Sequence, residues 1–141
     1  MTSPIVLDAS AAVHIVLAAE HAASLVERLE SPLSVAAPDL FFSEVANSLW
    51  KYVRLGTLSP EEASTHLDEA IGLLDSLVPS QALVHEAMVA AGRHNHAVYD
   101  MMYAVLARRT GATVLTMDRP FATLLRQMDV DLYCPIEKTP D

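Results

Sequence analysis

The sequence predicts an α/β fold with a central parallel sheet covered by helices on both faces. Three observations predict it. Short apolar runs alternate along the chain with longer amphipathic segments. The runs lack the apolar–polar alternation of a half-solvated strand, so both of their faces are expected to be buried, as in a parallel sheet. Two of them, Pro4–Leu7 and Ala112–Met117, run directly into an aspartate, at Asp8 and Asp118.

The elements follow in order. Pro4–Asp8 is too short for a helix and reads as a buried strand. A helical region follows from Ser10 to about Leu29, with a break expected near Glu20-His21. Leu33–Ala37 reads as a second strand, stopped by Pro38. In the next helix Phe42, Val45, Ala46, Leu49, Trp50 and Val53 recur at the spacing of one buried face, and Gly56 ends it. Ser59-Pro60-Glu61-Glu62 supplies an N-cap serine, a proline at the first helical position and a capping-box glutamate. That helix is carried onward by Ala63, His66, Leu67, Ala70, Ile71 and Leu74 until Pro79, and Ser80 is placed to cap another running to about Arg93. Val98, Met101, Met102, Val105 and Leu106 repeat the core-facing pattern up to Gly111. Ala112–Met117, rich in β-branched residues, is the clearest strand. A helix over Pro120–Gln127 and a short strand at Leu132–Cys134 complete the set.

Composition bounds the function. A chain of 141 residues that is 52% hydrophobic and 19% charged is not disordered, low-complexity or collagen-like. It reads as a single domain over 1–141. Nine basic against 18 acidic residues leave a net charge of −9, which argues against a broad basic surface that wraps nucleic acid. The single cysteine, Cys134, excludes an intramolecular disulfide and a Cys-rich zinc site, and the cytoplasm is the expected compartment. Ile5–Ala19 imitates the core of a signal peptide, but Asp8 interrupts it and no basic residue precedes Arg28. No stretch approaches the roughly 20 apolar residues of a membrane span.

In open α/β sheets ligands bind at the carboxyl ends of the strands. Asp8 and Asp118 both stand at such ends, 110 residues apart. Glu44 lies early in the helix after the second strand, on a polar stripe with Asn47, Ser48 and Lys51, and Asp100 falls in the first turn of the helix that begins near Val98. Helices that follow strands begin at the same sheet edge, so all four acids are candidates for one pocket. Each has a plainer reading. An aspartate at a strand end is usually a helix cap, Glu44 alone is a solvated helix residue, and Asp100 complements a helix dipole. Together, four carboxylates with no cysteine suit a hard divalent ion, Mg²⁺ or Mn²⁺. Such ions activate water and stabilise a phosphodiester leaving group.

At these residues the chain resembles the PIN-domain ribonucleases, most closely the VapC toxins of toxin–antitoxin pairs. The matching segments are Val6–Ser10, Pro38–Leu40 through Ser43–Leu49, Val98–Ala107 and Leu115–Phe121, in order and with similar spacing. The resemblance implies a PIN-like three-layer sandwich with about five parallel strands. It implies Mg²⁺-dependent cleavage of an RNA substrate, a homodimer and a small antitoxin partner that blocks the site. By motif position Asp8, Glu44, Asp100 and Asp118 are the implied catalytic acids, with Asp8, Asp100 and Asp118 as metal ligands. Ser10, Asn47 and Thr116 match the polar positions beside them.

Met101-Met102 stands where smaller residues are usual in that family, which is expected to alter helix packing and leave the chemistry intact. Lys51, Arg54, Arg93, Arg108, Arg109, Arg119 and Arg126 fall in the segments that carry the acids, so a local positive rim is an expectation against the overall charge. His94-Asn95-His96 lacks ligand spacing and is set aside as a metal site. Two competitors remain. One is a catalytically silent domain of the same fold that acts through protein partners. The other is a phosphoryl-transfer domain, disfavoured because Asp8 has no acidic neighbour and the only late lysine is Lys138 in the tail. Leu67, Ile71, Leu74, Val84 and Met88 are the apolar residues least easily covered by one sheet layer, and suit a twofold contact or a partner helix.

Overall fold

The computed structural model describes residues 3–30, 32 and 34–137. Its strands are β1 (Ile5–Leu7), β2 (Val35–Pro38), β3 (Ser76–Val78), β4 (Thr113–Leu115) and β5 (Leu132–Tyr133). They form one sheet in the order β3-β2-β1-β4-β5, with every adjacent pair parallel. Ile5 pairs with Val35 on one side and Thr113 on the other, so β1 is the centre of the sheet. Burial explains the unbroken apolar runs: Ile5, Val6 and Leu7 are all buried, as are Val114 and Leu115.

The helices are α1 (Ala9–Val16), α2 (Ala22–Arg28), α3 (Phe41–Arg54), α4 (Pro60–Ile71), α5 (Val84–His94), α6 (Val98–Thr110) and α7 (Arg119–Gln127). The chain steps outward from β1 through β2 to β3, then returns to β4 beside β1 and continues to β5. Right-handed crossovers therefore put α1 to α4 on one face and α5 to α7 on the other, which is the three-layer sandwich expected. The break expected near Glu20-His21 is real, and His21 takes a left-handed φ of 73° there. Gly111, with φ of 69°, ends α6 where an L side chain would be strained. The capping box of α4 is present in full: Ser59 accepts from the Glu62 N–H, and Glu62 accepts from the Ser59 N–H, each at 3.0 Å.

The core is built on α6. Seven consecutive residues, Met101 to Ala107, are buried between the sheet and α5. Met101 and Met102 fill that core. Phe41, Phe121 and Leu25 close it from other helices.

Several expectations are corrected. The helix beginning at Pro60 stops at Ile71, and β3 occupies part of the stretch assigned to its continuation. β3 is a three-residue edge strand whose side chains are exposed or half-buried, so its sequence carries neither a buried run nor a period. Ser80 does not cap α5. Its N–H, at 3.1 Å, and its hydroxyl both go to the Asp39 carboxylate, a one-turn 3₁₀ segment spans Ser80–Ala82, and α5 begins at Val84. β2 extends through Pro38, and Leu33, expected at its start, lies outside the described residues. Leu67 and Leu74 pack against the core, whereas Met88 and Val84 are exposed as expected. Lys138 also lies outside the described residues. No helix among the described residues is long and apolar enough to cross a membrane.

Candidate active site

The strand order reverses between β1 and β4, and at such a switch point the loops leaving the two strands diverge and open a crevice. Asp8 leaves β1 here, and Thr116, Met117 and Asp118 leave β4. A cavity of about 270 Å³ at this place is lined by Asp8, Ser10, Glu44, Asn47, Ser48, Lys51, Asp100, Tyr103 and Asp118. All four acids named from the sequence therefore meet at one site. Two of the supporting residues, Ser10 and Asn47, line it as well.

Each acid is tied to the scaffold through one oxygen. Asp8 caps α1: its Oδ1 accepts from the Ala11 N–H at 2.9 Å and from the Ser10 hydroxyl at 2.6 Å. Asp118 caps α7, its Oδ1 accepting from the Phe121 N–H at 3.0 Å. The capping roles that make the plainer reading of these residues are thus real, and both residues also line the cavity. Glu44 Oε1 accepts from the Tyr103 hydroxyl at 2.7 Å. Asp100 Oδ2 lies 2.7 Å from His96 Nε2, and because a carboxylate only accepts, the ring nitrogen donates.

Thr116 sits beneath the acids. It is fully buried, its Oγ1 accepts from the Asp118 N–H at 3.0 Å, and it lies 3.3 Å from Ser10 Oγ. Ser10 Oγ in turn accepts from the Met117 N–H at 2.9 Å. The two hydroxyls stitch the β4–α7 loop to the start of α1, which holds Asp8 and Asp118 in a fixed relation.

The electrostatics are those of crowded acids. Burial pushes the Asp8 carboxyl up to about 6; hydrogen bonds from Ser10, Thr116 and the Ala11 N–H oppose the rise, and the Asp100 charge adds to it. Burial also raises Glu44, the Tyr103 hydrogen bond opposes, and Asp100 again adds to the rise. Burial and the surrounding acids drive the Tyr103 phenol far above its ordinary range, so it stays a donor at any physiological pH.

The positive rim is largely absent. Arg108 and Arg109 are bound to Glu86, Arg126 pairs with Glu137, and Arg119 donates to the Ile136 carbonyl. Of the basic residues expected there, Lys51 lines the cavity. Reading the sequence alone missed Tyr103 and His96. Tyr103 lies three residues after Asp100 and so on its helix face, and His96 lies four before it.

Do these residues fit a metal? The donor chemistry does: four carboxylates line one cavity, and two are held above their usual range by burial and mutual repulsion. Glu44, Asp100 and Asp118 each keep a second oxygen that no hydrogen bond engages among the described residues. Among the described residues, no three acids, histidines or cysteines are spaced to ligate one ion directly. Magnesium suits such a site, because it keeps several of its waters and takes only one or two carboxylates directly.

Comparison with known proteins agrees with the fold. Ribonuclease VapC3 of Pyrobaculum aerophilum is 35% identical over 120 residues, which cover 84% of this chain and 92% of that protein. The crystal structure of PAE2754 from Pyrobaculum aerophilum matches with a TM-score of 0.66 at 24% identity, over 90% of each chain. That of VapBC2 from Rickettsia felis, bound to a DNA fragment from its promoter, matches with a TM-score of 0.65 at 14% identity, over 93% of this chain and 98% of that one. The two structures speak for the fold alone. The family model of the PIN domain matches residues 5–124, a span that contains all four acids, and with it the chain belongs to the PIN-domain family.

Proposed function

We propose that this protein is a Mg²⁺-dependent endoribonuclease and the toxin of a toxin–antitoxin pair. The observation that carries the reading is the meeting of Asp8, Glu44, Asp100 and Asp118 from four separate segments in one cavity at the switch point. Its likeness to a ribonuclease named VapC3 supports the RNA substrate. In this reading Asp8, Asp100 and Asp118 hold the ion, in part through water, with Mn²⁺ as a substitute. Bound there, the ion supplies Lewis acidity, lowering the pKa of water and balancing charge on the phosphate.

The remaining chemistry belongs to the chain. Glu44, held by Tyr103 and raised by burial, is placed to take a proton from the attacking water. Lys51 at the cavity wall offsets phosphate charge. Ser10 and Thr116 keep Asp8 aimed, and Asn47 offers an amide to the substrate backbone. A small antitoxin protein is the proposed inhibitor, a homodimer the proposed assembly and the cytoplasm the proposed location.

The test is cleavage of a structured RNA with Mg²⁺, with Mn²⁺ and with a chelator, in the native chain and in Asp8→Asn and Asp100→Asn. Cleavage that needs the ion and both acids is the expected result. Folded protein that cuts no RNA under any of these conditions would favour the silent domain that acts through partners.

A further inference from the structure

A second cavity, of about 390 Å³, opens beside the first and shares Ser10, Ser48 and Lys51 with it. Its remaining walls are Val13 and His14 from α1 and Tyr52 and Leu55 from the end of α3. It is unlike the acid cavity, since it carries no carboxylate. Tyr52 is 38% exposed and Leu55 74% exposed, so an aromatic and an apolar side chain stand open beside the site. His14 Nδ1 lies 2.9 Å from the Ser10 carbonyl, which only accepts, so Nδ1 carries the hydrogen and Nε2 is the nitrogen left for a ligand. Among the described residues no hydrogen bond engages Ser48 Oγ, Lys51 Nζ or the Tyr52 hydroxyl.

We propose that this cavity is a nucleoside subsite that seats the base and sugar next to the scissile phosphate and so contributes to the choice of cleavage position. The inference rests on the ribonuclease reading and names the substrate group that the second cavity takes. Continuity supports it: a chain whose phosphate lies among the acids leaves past Ser10, Ser48 and Lys51, the three residues common to both cavities. Chemistry supports it as well. A base needs a flat apolar or aromatic face, supplied by Tyr52, Val13 and Leu55, and polar partners at its edge, supplied by Ser48 and His14. The phosphate between the two cavities needs a cation, and Lys51 stands at that junction. The volume lies in the range of small-ligand pockets and holds one nucleoside.

The full-length chain, with Mg²⁺ present, is titrated with each of the four nucleoside 5′-monophosphates and, separately, with inorganic phosphate, while backbone amides are followed by NMR. The expected result is that nucleotides shift Val13, Tyr52 and Leu55, whereas phosphate shifts only residues of the acid cavity. Tyr52→Leu is expected to weaken nucleotide binding about tenfold, the scale of one lost base stack, and leave phosphate binding unchanged. Tyr52→Trp is expected to restore it. Nucleotides that leave these three amides unmoved, in the native chain, overturn the proposal, as does equal weakening of nucleotide and phosphate in Tyr52→Leu. So does a bound protein partner that moves these amides when no nucleotide does, since the cavity is then a peptide groove. Nucleotide binding at Tyr52 without RNA cleavage under any metal sinks the ribonuclease reading and leaves the subsite standing. RNA cleavage whose nucleotide preference is untouched by Tyr52→Leu does the reverse.

Discussion

Glu44 and Tyr103, 59 residues apart in the chain, meet in a 2.7 Å hydrogen bond that joins α3 to α6 at the wall of the acid cavity. Tyr103 is 1% exposed, so its ring belongs to the core while its hydroxyl belongs to the site. The bond fixes one carboxylate oxygen and opposes the rise that burial imposes on Glu44.

Tyr103→Phe keeps the ring and deletes the donor. It is expected to lower stability by about 1 kcal/mol and cleavage at least tenfold. Without the phenol, Glu44 rises further, so it loses its proton at a higher pH and the acidic limb of the rate profile moves upward. An unchanged pH–rate profile at reduced rate would confine Tyr103 to packing.

Asp8 gives a pH dependence of stability without metal. Its folded-state value of about 6 lies above the ordinary 3.8, so folding favours the protonated form. The stability this group contributes is complete below about pH 4 and is lost as the pH rises through 6. At about 1.4 kcal/mol per unit the change is about 3 kcal/mol at most. Asp8→Asn keeps an oxygen for the Ala11 and Ser10 bonds and removes the charge. It is expected to melt no lower than the native chain at pH 7 and to flatten this segment of the curve. Chemical denaturation across pH 4 to 8 in chelator measures both.

Mg²⁺ is expected to raise the melting temperature at pH 7 by several degrees, the equivalent of about 2.7 kcal/mol when the ion is at a hundred times its dissociation constant. The gain fades as the pH falls through 6, where protons compete for Asp8. Asp100→Asn is expected to lose most of it. Scanning calorimetry with and without the ion decides the matter, and an equal gain in Asp100→Asn would count against ion binding at these acids.

Ser59→Ala tests the fold apart from the site. It removes the serine side of the α4 capping box, for a loss of about 1 kcal/mol. α4 contributes no wall to the acid cavity. The cleavage rate per folded molecule is therefore expected to stay at the native value while the melting temperature falls.

Association is expected at micromolar concentration. Met88 and Val89, neighbours on α5, are more than half exposed, and exposed apolar side chains side by side mark contact surfaces. Sedimentation is expected to show a species near twice 15.3 kDa. A monomer across the whole range would remove the homodimer.

What could be read in advance follows from how each residue is used. β1 and β4 were legible because an apolar run ends in an aspartate at each, and that pairing is both a strand end and a helix cap. Glu44 was legible because it lies early in the helix after β2, on the polar stripe beside a regular apolar one. β3 was not, because Ser76–Val78 lies at the sheet edge and buries too little to leave a pattern. Ser80 misled because a serine before a helix reads as its cap, whereas here a carboxylate 41 residues earlier, Asp39, takes its hydrogens. Tyr103 was hidden for the opposite reason: within a run of buried residues an aromatic reads as core, and only its hydroxyl oxygen is not. The positive rim failed because arginines near the acids in sequence found partners elsewhere, in Glu86 and Glu137.

The outer strands of the sheet have a bearing on how the protein survives in a crowded cell. β3 offers three residues and β5 only two. An exposed strand edge is the usual template on which one copy of a folded protein adds to the next, and its strength grows with the number of free backbone groups in line. Here that number is small at both ends. The buried, mostly apolar strands β1 and β4 are shut in the middle, with paired neighbours on each side. Such a chain can accumulate and wait, held in store, without seeding fibrous deposits from its own sheet.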